Sequence, residues 1–273
     1  MRSAAAAVVL LALSAACATE PAPVTDAARL GQWIWTRADV ARFAESDGAL
    51  PGLDAGVFIG AVHCDGATGQ LVARAGFSPG ITGAAAVTAV IRFEDGLDRC
   101  RTPNDAAGRF NQALDSAVRV LRARGASTPV QAVQLDYDAP QRALAAWATS
   151  VRYLRTKSLA SDSVWVTSLI AHVREPAYGD LFRGVVQGHV LQVFDTGEPA
   201  TERQVDEALR LVTRARLPFR LGLGAFERRT AAGVTDHRAW FGTVPSFKRV
   251  RGYRGLWIFP AGFRWTSLLQ ERA

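Results

Sequence analysis

The chain has 273 residues, 49% hydrophobic and 21% charged, with a formal charge of +7. Beyond its first sixteen residues no segment approaches the ~20 apolar residues of a spanning helix, so the body is expected to be soluble. The positive balance by itself would suit nucleic acid or acidic envelope polymers, but Lys157 and Lys248 are the only lysines and the arginines are scattered. The densest group, Lys248, Arg249, Arg251 and Arg254, is interleaved with Phe247 and Tyr253 and reads as a solvated loop, so no nucleic-acid partner is expected.

Met1-Arg2 followed by the apolar run Ala4 to Ala16 has the length of a secretory signal peptide, assigned to residues 1–16. Cys17 follows Ser14-Ala15-Ala16, so it is a candidate lipid-attachment site, with plain secretory cleavage after Ala16 as the other reading. Residues 17–29, with Pro21 and Pro23, then read as a tether. An extracytoplasmic protein follows, membrane-anchored if Cys17 is acylated and secreted if it is not. Residues 30–273 have the usual size of a single (β/α)8 barrel.

The strands and helices alternate in the order such a barrel requires. Gln32 to Thr36 is a first strand, and Thr36 with Asp39 marks a helix start by the capping-box spacing. Gly56 to Val62 is a nearly continuous apolar second strand, as expected where both faces are covered. Leu71 to Ala75 is a short extra strand, and Ser78-Pro79-Gly80 with Gly83 leaves little room for a full crossover helix, so the barrel is expected to be distorted there. Ala86 to Phe93 is the third strand. Thr102-Pro103 opens a helix with the stripe Phe110, Leu114, Val118 and Leu121, closed by Gly125.

The fourth strand organises the chain. In Val130 to Asp138, Val133, Leu135 and Tyr137 alternate with Gln134, Asp136 and Asp138, so two carboxylates share one face. Pro140 suits the first helical turn, and Leu144, Trp147, Val151 and Leu154 keep helical spacing beyond it. Ser163 to Ala171, Val185 to Phe194, Phe219 to Phe226 and Gly255 to Pro260 are strands five to eight, tipped in turn by His172, Asp195 and Glu227 for the first three. Thr201 and Gln204 cap the helix carrying Val205, Leu209 and Val212, and the crossover from Arg228 to Arg254 is too irregular to assign. Cys64 and Cys100 fall just past neighbouring strands two and three, so an oxidising compartment would let them pair; two buried thiols are the alternative.

Trp33-Ile34-Trp35 with Arg37, the run Gln134 to Pro140, Val166 to Leu169, Val190 to Phe194 and Leu217 to Arg220 together resemble a bacterial family catalogued as domain of unknown function thirty-one forty-two. The resemblance spans nearly the whole body and implies an exported or anchored barrel resembling glycoside hydrolases, in a family without an established reaction. Ala171-His172 stands where that family tends to carry tryptophan.

The residues point to the chemistry of paired carboxylates, which glycosidases hold about 5–5.5 Å apart for retention and about 6.5–9.5 Å apart for inversion. Asp138 is the candidate general acid, Glu227 the candidate nucleophile or base, and Asp136 a candidate modulator, expected either to hold Asp138 in position or to raise its pKa by like-charge repulsion. A surface ion pair is the other account of Glu227, which two arginines follow. Trp35, Arg37, Gln134, Gln192 and Asp195 are candidate saccharide contacts. Trp33, Trp165 and Trp257 join Trp35 as a stacking platform or, more simply, as core. Pro140 occupies the place of the last acid in the Asp-x-Asp-x-Glu pattern of chitinases, which argues against that chemistry. His63, Asp65, His172 and Asp195 are too scattered to assign a metal, and no cofactor is called for. A hydrolase acting on glycosidic bonds and a non-catalytic saccharide- or envelope-binding barrel both remain open, and the oligomeric state is not legible.

Overall fold

The computed structural model describes residues 28–77, 80–101, 108–124, 129–194, 200–230 and 233–272. Eight parallel strands close into a ring: β1 (Arg29–Ile34), β2 (Asp54–Asp65), β4 (Ala86–Phe93), β5 (Ala132–Tyr137), β6 (Ser163–Leu169), β7 (Gly188–Gln192), β8 (Phe219–Gly224) and β11 (Tyr253–Phe259). β1 pairs with β11 on one side and β2 on the other, and this double pairing closes the barrel. Helices follow most strands: α1 (Arg37–Ala49), α2 (Arg109–Arg124), α3 (Leu144–Arg155), α4 (Ile170–Arg174), α5 (Tyr178–Phe182), α6 (Glu202–Ala215), α7 (Val244–Lys248) and α8 (Thr266–Arg272). The expected fold class, an α/β barrel of this type, is what the chain adopts.

The expected distortion is present. β3 (Gln70–Ala75) turns back antiparallel on β2, from Asp65 opposite Gln70 to Gly60 opposite Ala75, where a regular unit would place a crossover helix. Asp65 holds that turn, accepting from the Ala67 amide at 3.0 Å and the Thr68 hydroxyl at 2.8 Å. Cys64 at the end of β2 is disulfide-bonded to Cys100, which closes a short 3-10 turn after β4. The predicted pairing is therefore formed.

Several boundaries differ from expectation. β1 starts three residues earlier than its apolar pattern suggested, because Arg29 to Gln32 extend the ladder with β11. β6 ends at Leu169, since Ile170 to Arg174 coil into a helix whose first turn is tied back by His172. The unassigned crossover contains a hairpin, β9 (Glu227–Thr230) with β10 (Gly233–Asp236), then a 3-10 turn His237–Thr243 and α7. Cys17 and the whole leader, Thr102-Pro103, Gly125 and Asp195 lie outside the described residues.

Two apolar layers build the core. The larger fills the space between strands and helices, where the face carrying Val133, Leu135 and Tyr137 packs; Tyr137 meets the Trp147 ring at 5.1 Å. The smaller lies inside the ring and includes Trp33, Val90, Trp165, Val190 and Trp257. Two glycines make room for these indoles. A Cβ on Gly56 would lie 2.1 Å from the Trp257 ring, and one on Gly222 would lie 2.9 Å from that of Trp33. Below them Arg220 stacks on Trp165 at 4.0 Å and faces Trp257 at 5.3 Å, plugging the N-terminal end of the barrel with a buried cation. Burial lowers its pKa to about 10, partly offset by attraction to Asp54.

The disulfide spans 36 residues of sequence. Replacing both cysteines by serine is expected to lower unfolding free energy by about 3 kcal/mol. Urea titration of the variant beside the oxidised parent checks this; identical midpoints would show that the bond adds nothing to the β2–β4 connection.

Candidate functional site at the barrel mouth

The alternation of β5 turns Gln134 and Asp136 toward the barrel axis, and Asp138 follows just beyond the strand's end. Here they meet a residue that sequence reasoning missed. Arg92 is the one charged side chain in the otherwise apolar β4, and the parallel register places it beside Asp136. Its guanidinium donates from Nη1 to Asp136 Oδ2 at 2.9 Å and from Nη2 to Asp138 Oδ2 at 2.7 Å. One cation therefore bridges both carboxylates of the acidic strand. The signal was there to find: a lone arginine in an apolar strand, next in chain order to the strand that carries the acids.

Asp136 is 4% exposed. Desolvation is the largest influence on it and raises its pKa; the Arg92 charge opposes this and the Asp138 charge adds to it. The same pair of carboxylates raises the pKa of Arg92 against the effect of its own burial. A buried hydrogen-bond chain supports the fork from below. Trp33 Nε1 donates to Gln134 Oε1 at 3.1 Å and Gln134 Nε2 donates to Thr167 Oγ1 at 2.8 Å, while Thr167, near the Asp136 carboxylate, lowers its pKa. Gln134 is thus spent on both ends within the protein. His172 fixes the segment after Asp138: Nε2 donates to the Ala139 carbonyl at 2.7 Å while Nδ1 accepts from the Leu169 amide at 3.2 Å, and burial lowers its pKa.

Above this network opens a cavity of about 410 Å³. Asp136, Asp138, Arg92 and Gln134 lie against Trp33, with Trp35, Phe194, Phe259, Leu169, Gln192 and Arg228 completing the wall. Trp35 is half-buried and stacks flat on Phe58 at 4.6 Å, while Phe194 stacks on Phe259 at 5.4 Å. Gln192 donates to the Phe194 carbonyl at 3.2 Å.

Of the residues expected from the sequence, the structure brings Asp136, Asp138, Trp35, Gln134 and Gln192 to this cavity. Arg37, exposed at the start of α1, lies over the Phe77 ring at 5.9 Å and does not line it. Glu227 does not line it either: it begins the exposed β9–β10 hairpin and is ion-paired with Arg238. Arg228, its neighbour in sequence, contributes to the wall instead. Trp165 and Trp257 are core, below the cavity. Among the described residues no group of three histidines, cysteines or carboxylates could hold a metal ion.

No family model matches the chain, and a search of curated proteins finds no match. Solved structures do match its fold. The spore cortex-lytic enzyme SleL of Bacillus megaterium is 12% identical with a TM-score of 0.57, over 92% of this chain and 75% of that one. The GH18 chitinase ChiB of Flavobacterium johnsoniae is 11% identical with a TM-score of 0.55, over 90% of this chain and 93% of that one. A xylanase-α-amylase inhibitor protein, solved with trehalose, is 11% identical with a TM-score of 0.54, over 90% and 99%. The chain thus shares the barrel architecture of glycoside hydrolases, an architecture also used by an inhibitor protein.

Two consequences can be measured. Arg92→Gln leaves a buried carboxylate without its cation and is expected to cost about 3 kcal/mol at neutral pH, read by urea denaturation; an unchanged midpoint would show the bridge to be energetically idle. Because the folded-state pKa of Asp136 is raised, the folded state binds the extra proton. Its contribution to stability is fully present below the ordinary carboxylate value and is lost as pH rises through the folded value. Asp136→Asn should remove that decline from the pH–stability curve; parallel curves for parent and variant would contradict the assignment.

Proposed function

We propose that the chain binds a saccharide in the mouth of its barrel without cleaving it. The observation that carries this reading is the double engagement of Arg92. A general acid must deliver a proton to the leaving oxygen, and a second carboxylate must stand across the scissile bond. Here Arg92 ties both strand-borne carboxylates to one side of the cavity, Pro140 replaces the last acid of the chitinase pattern, and Glu227 is ion-paired on an exposed hairpin. What the cavity offers instead is suited to holding a sugar: aromatic faces at Trp35, Phe194 and Phe259 for the apolar faces of pyranose rings, and fixed carboxylate and amide groups for hydroxyls. The inhibitor protein solved with trehalose supports the reading, since it joins this barrel to a sugar ligand.

The hydrolase reading rests on one specific observation, the raised pKa of the buried Asp136 beside Asp138, together with the enzymes among the fold's relatives. In that reading Asp138 is the acid and Glu227 the nucleophile or base, which would have to leave its ion pair with Arg238 to reach the cavity.

We also infer that the protein is exported and anchored through Cys17, and that it belongs with the domain-of-unknown-function family thirty-one forty-two. The leader composition supports the first and the run Gln134 to Pro140 the second.

Calorimetric titration against a panel of envelope and plant oligosaccharides, with release of reducing ends followed in parallel, separates the two mechanisms. Binding without release is expected, and Trp35→Ala should weaken it about tenfold. Turnover by the parent that Asp138→Asn abolishes would establish the hydrolase instead.

A further inference from the structure

The end of the barrel opposite this mouth carries a second feature. A groove of about 750 Å³ runs across the loops that lead into β8 and β11, lined by Arg216, Leu217, Pro218, Arg249, Arg251 and Arg254 among others. None of its lining residues is acidic and none is aromatic. Two of the guanidinium groups have a local reason to be there, because Arg216 caps the C-terminus of α6 and Arg249 that of α7, where the helix dipole favours a cation. That reason does not extend to Arg251, which follows in the loop.

The topology adds the second observation. β11 lies between β8 and β1, and Arg29 at the start of β1 stands beside Gly255. The chain preceding residue 28 therefore joins the barrel at the groove's end and not at the pocket's end. Ten residues, 18–27, separate Cys17 from residue 28. Fully extended they reach roughly 35 Å, comparable to the depth of one barrel.

We propose that this groove docks the barrel on the phosphate layer of an anionic membrane, so that the aromatic mouth opens away from the bilayer. Guanidinium forks match phosphate oxygens, and the half-buried Val250 between them supplies apolar surface at the level of the headgroups. The absence of a ring in the lining disfavours a single-stranded nucleic acid, whose bases need stacking partners. Single acyl chains hold proteins only marginally, and a basic patch is the kind of second signal that makes anchoring stable. This inference is independent of what the mouth binds.

Vesicle co-sedimentation tests it, with the full-length chain in a Cys17→Ser background so that every protein carries the same unacylated leader. The probes are vesicles of phosphatidylcholine alone and of phosphatidylcholine mixed with phosphatidylglycerol. Binding should require the anionic lipid and weaken with salt. The triple variant Arg216→Gln, Arg249→Gln, Arg251→Gln should bind at least tenfold more weakly, given roughly fivefold per arginine. A matched triple on the exposed faces of α2 and α6, Arg119→Gln, Arg124→Gln, Arg203→Gln, lowers net charge equally and should bind as the parent does. Equal binding to both vesicles, equal losses in the two triples, release by inorganic phosphate beyond a chloride control, or tighter binding to a DNA duplex would each overturn the proposal. A thermal melt of each variant shows that the fold is retained, as expected because Arg216, Arg249 and Arg251 are exposed.

Discussion

The bridge from Arg92 to Asp136 and Asp138 is the constraint on which the mouth of this barrel depends. Placing two carboxylates on the interior face of a strand, where one of them is almost wholly removed from water, is costly unless charge and hydrogen bonds are returned to them. Arg92 returns both at once, at 2.9 and 2.7 Å, and the parallel register of β4 with β5 is what puts it there. A shift of one residue in that register would turn the guanidinium to the helix-packed face and leave the acids unmatched. The electrostatics of the mouth and the pairing of the two strands are therefore one constraint seen at two levels.

The layers beneath make the bridge rigid. Trp33, Trp165 and Trp257 fill the ring, and Gly56 and Gly222 are bare because the indoles occupy the space a Cβ would need. Trp33 in turn anchors Gln134, which orients Thr167 against Asp136. His172 holds the other side, tying the chain after Asp138 to the end of β6. A packed indole at the floor is thus connected by hydrogen bonds to the threonine beside a carboxylate in the wall. Such a frame presents fixed groups to a ligand, which suits recognition, and it ties down Asp138, the carboxylate that a hydrolase would use as its acid.

Much of the fold was legible because period-two patterning in a barrel strand states directly which face packs against helices. β5 is the clearest case: Val133, Leu135 and Tyr137 went outward and Gln134, Asp136 and Asp138 inward, as the alternation implied. The missing crossover helix after β2 was legible from Ser78-Pro79-Gly80 and Gly83, and β3 occupies the space where that helix would otherwise lie. The site was legible only on the strand that announced itself. Arg92 escaped notice because an isolated arginine in an apolar run carries no motif, and only the register shows what it faces. Glu227 was attractive for its position after β8, but a strand's last residues can leave the ring, and here they enter a hairpin whose Arg238 engages the carboxylate. The basic cluster around Arg249 read as a solvated loop; that Arg216, distant in sequence, lines the same groove is visible only in the structure.

The two ends of the barrel then have different characters: aromatic and zwitterionic at the mouth, arginine-lined and free of acids in the groove at the other end. The central claim, that the Arg92 bridge makes the mouth a receptor, is tested most directly by a crystal structure of the protein soaked with an oligosaccharide that it binds. The account predicts an intact sugar against Trp35 and Phe259, with Arg92 still bridging Asp136 and Asp138. A cleaved product in the cavity, or Arg92 withdrawn from the carboxylates with a second acid moved across from Asp138, would contradict it.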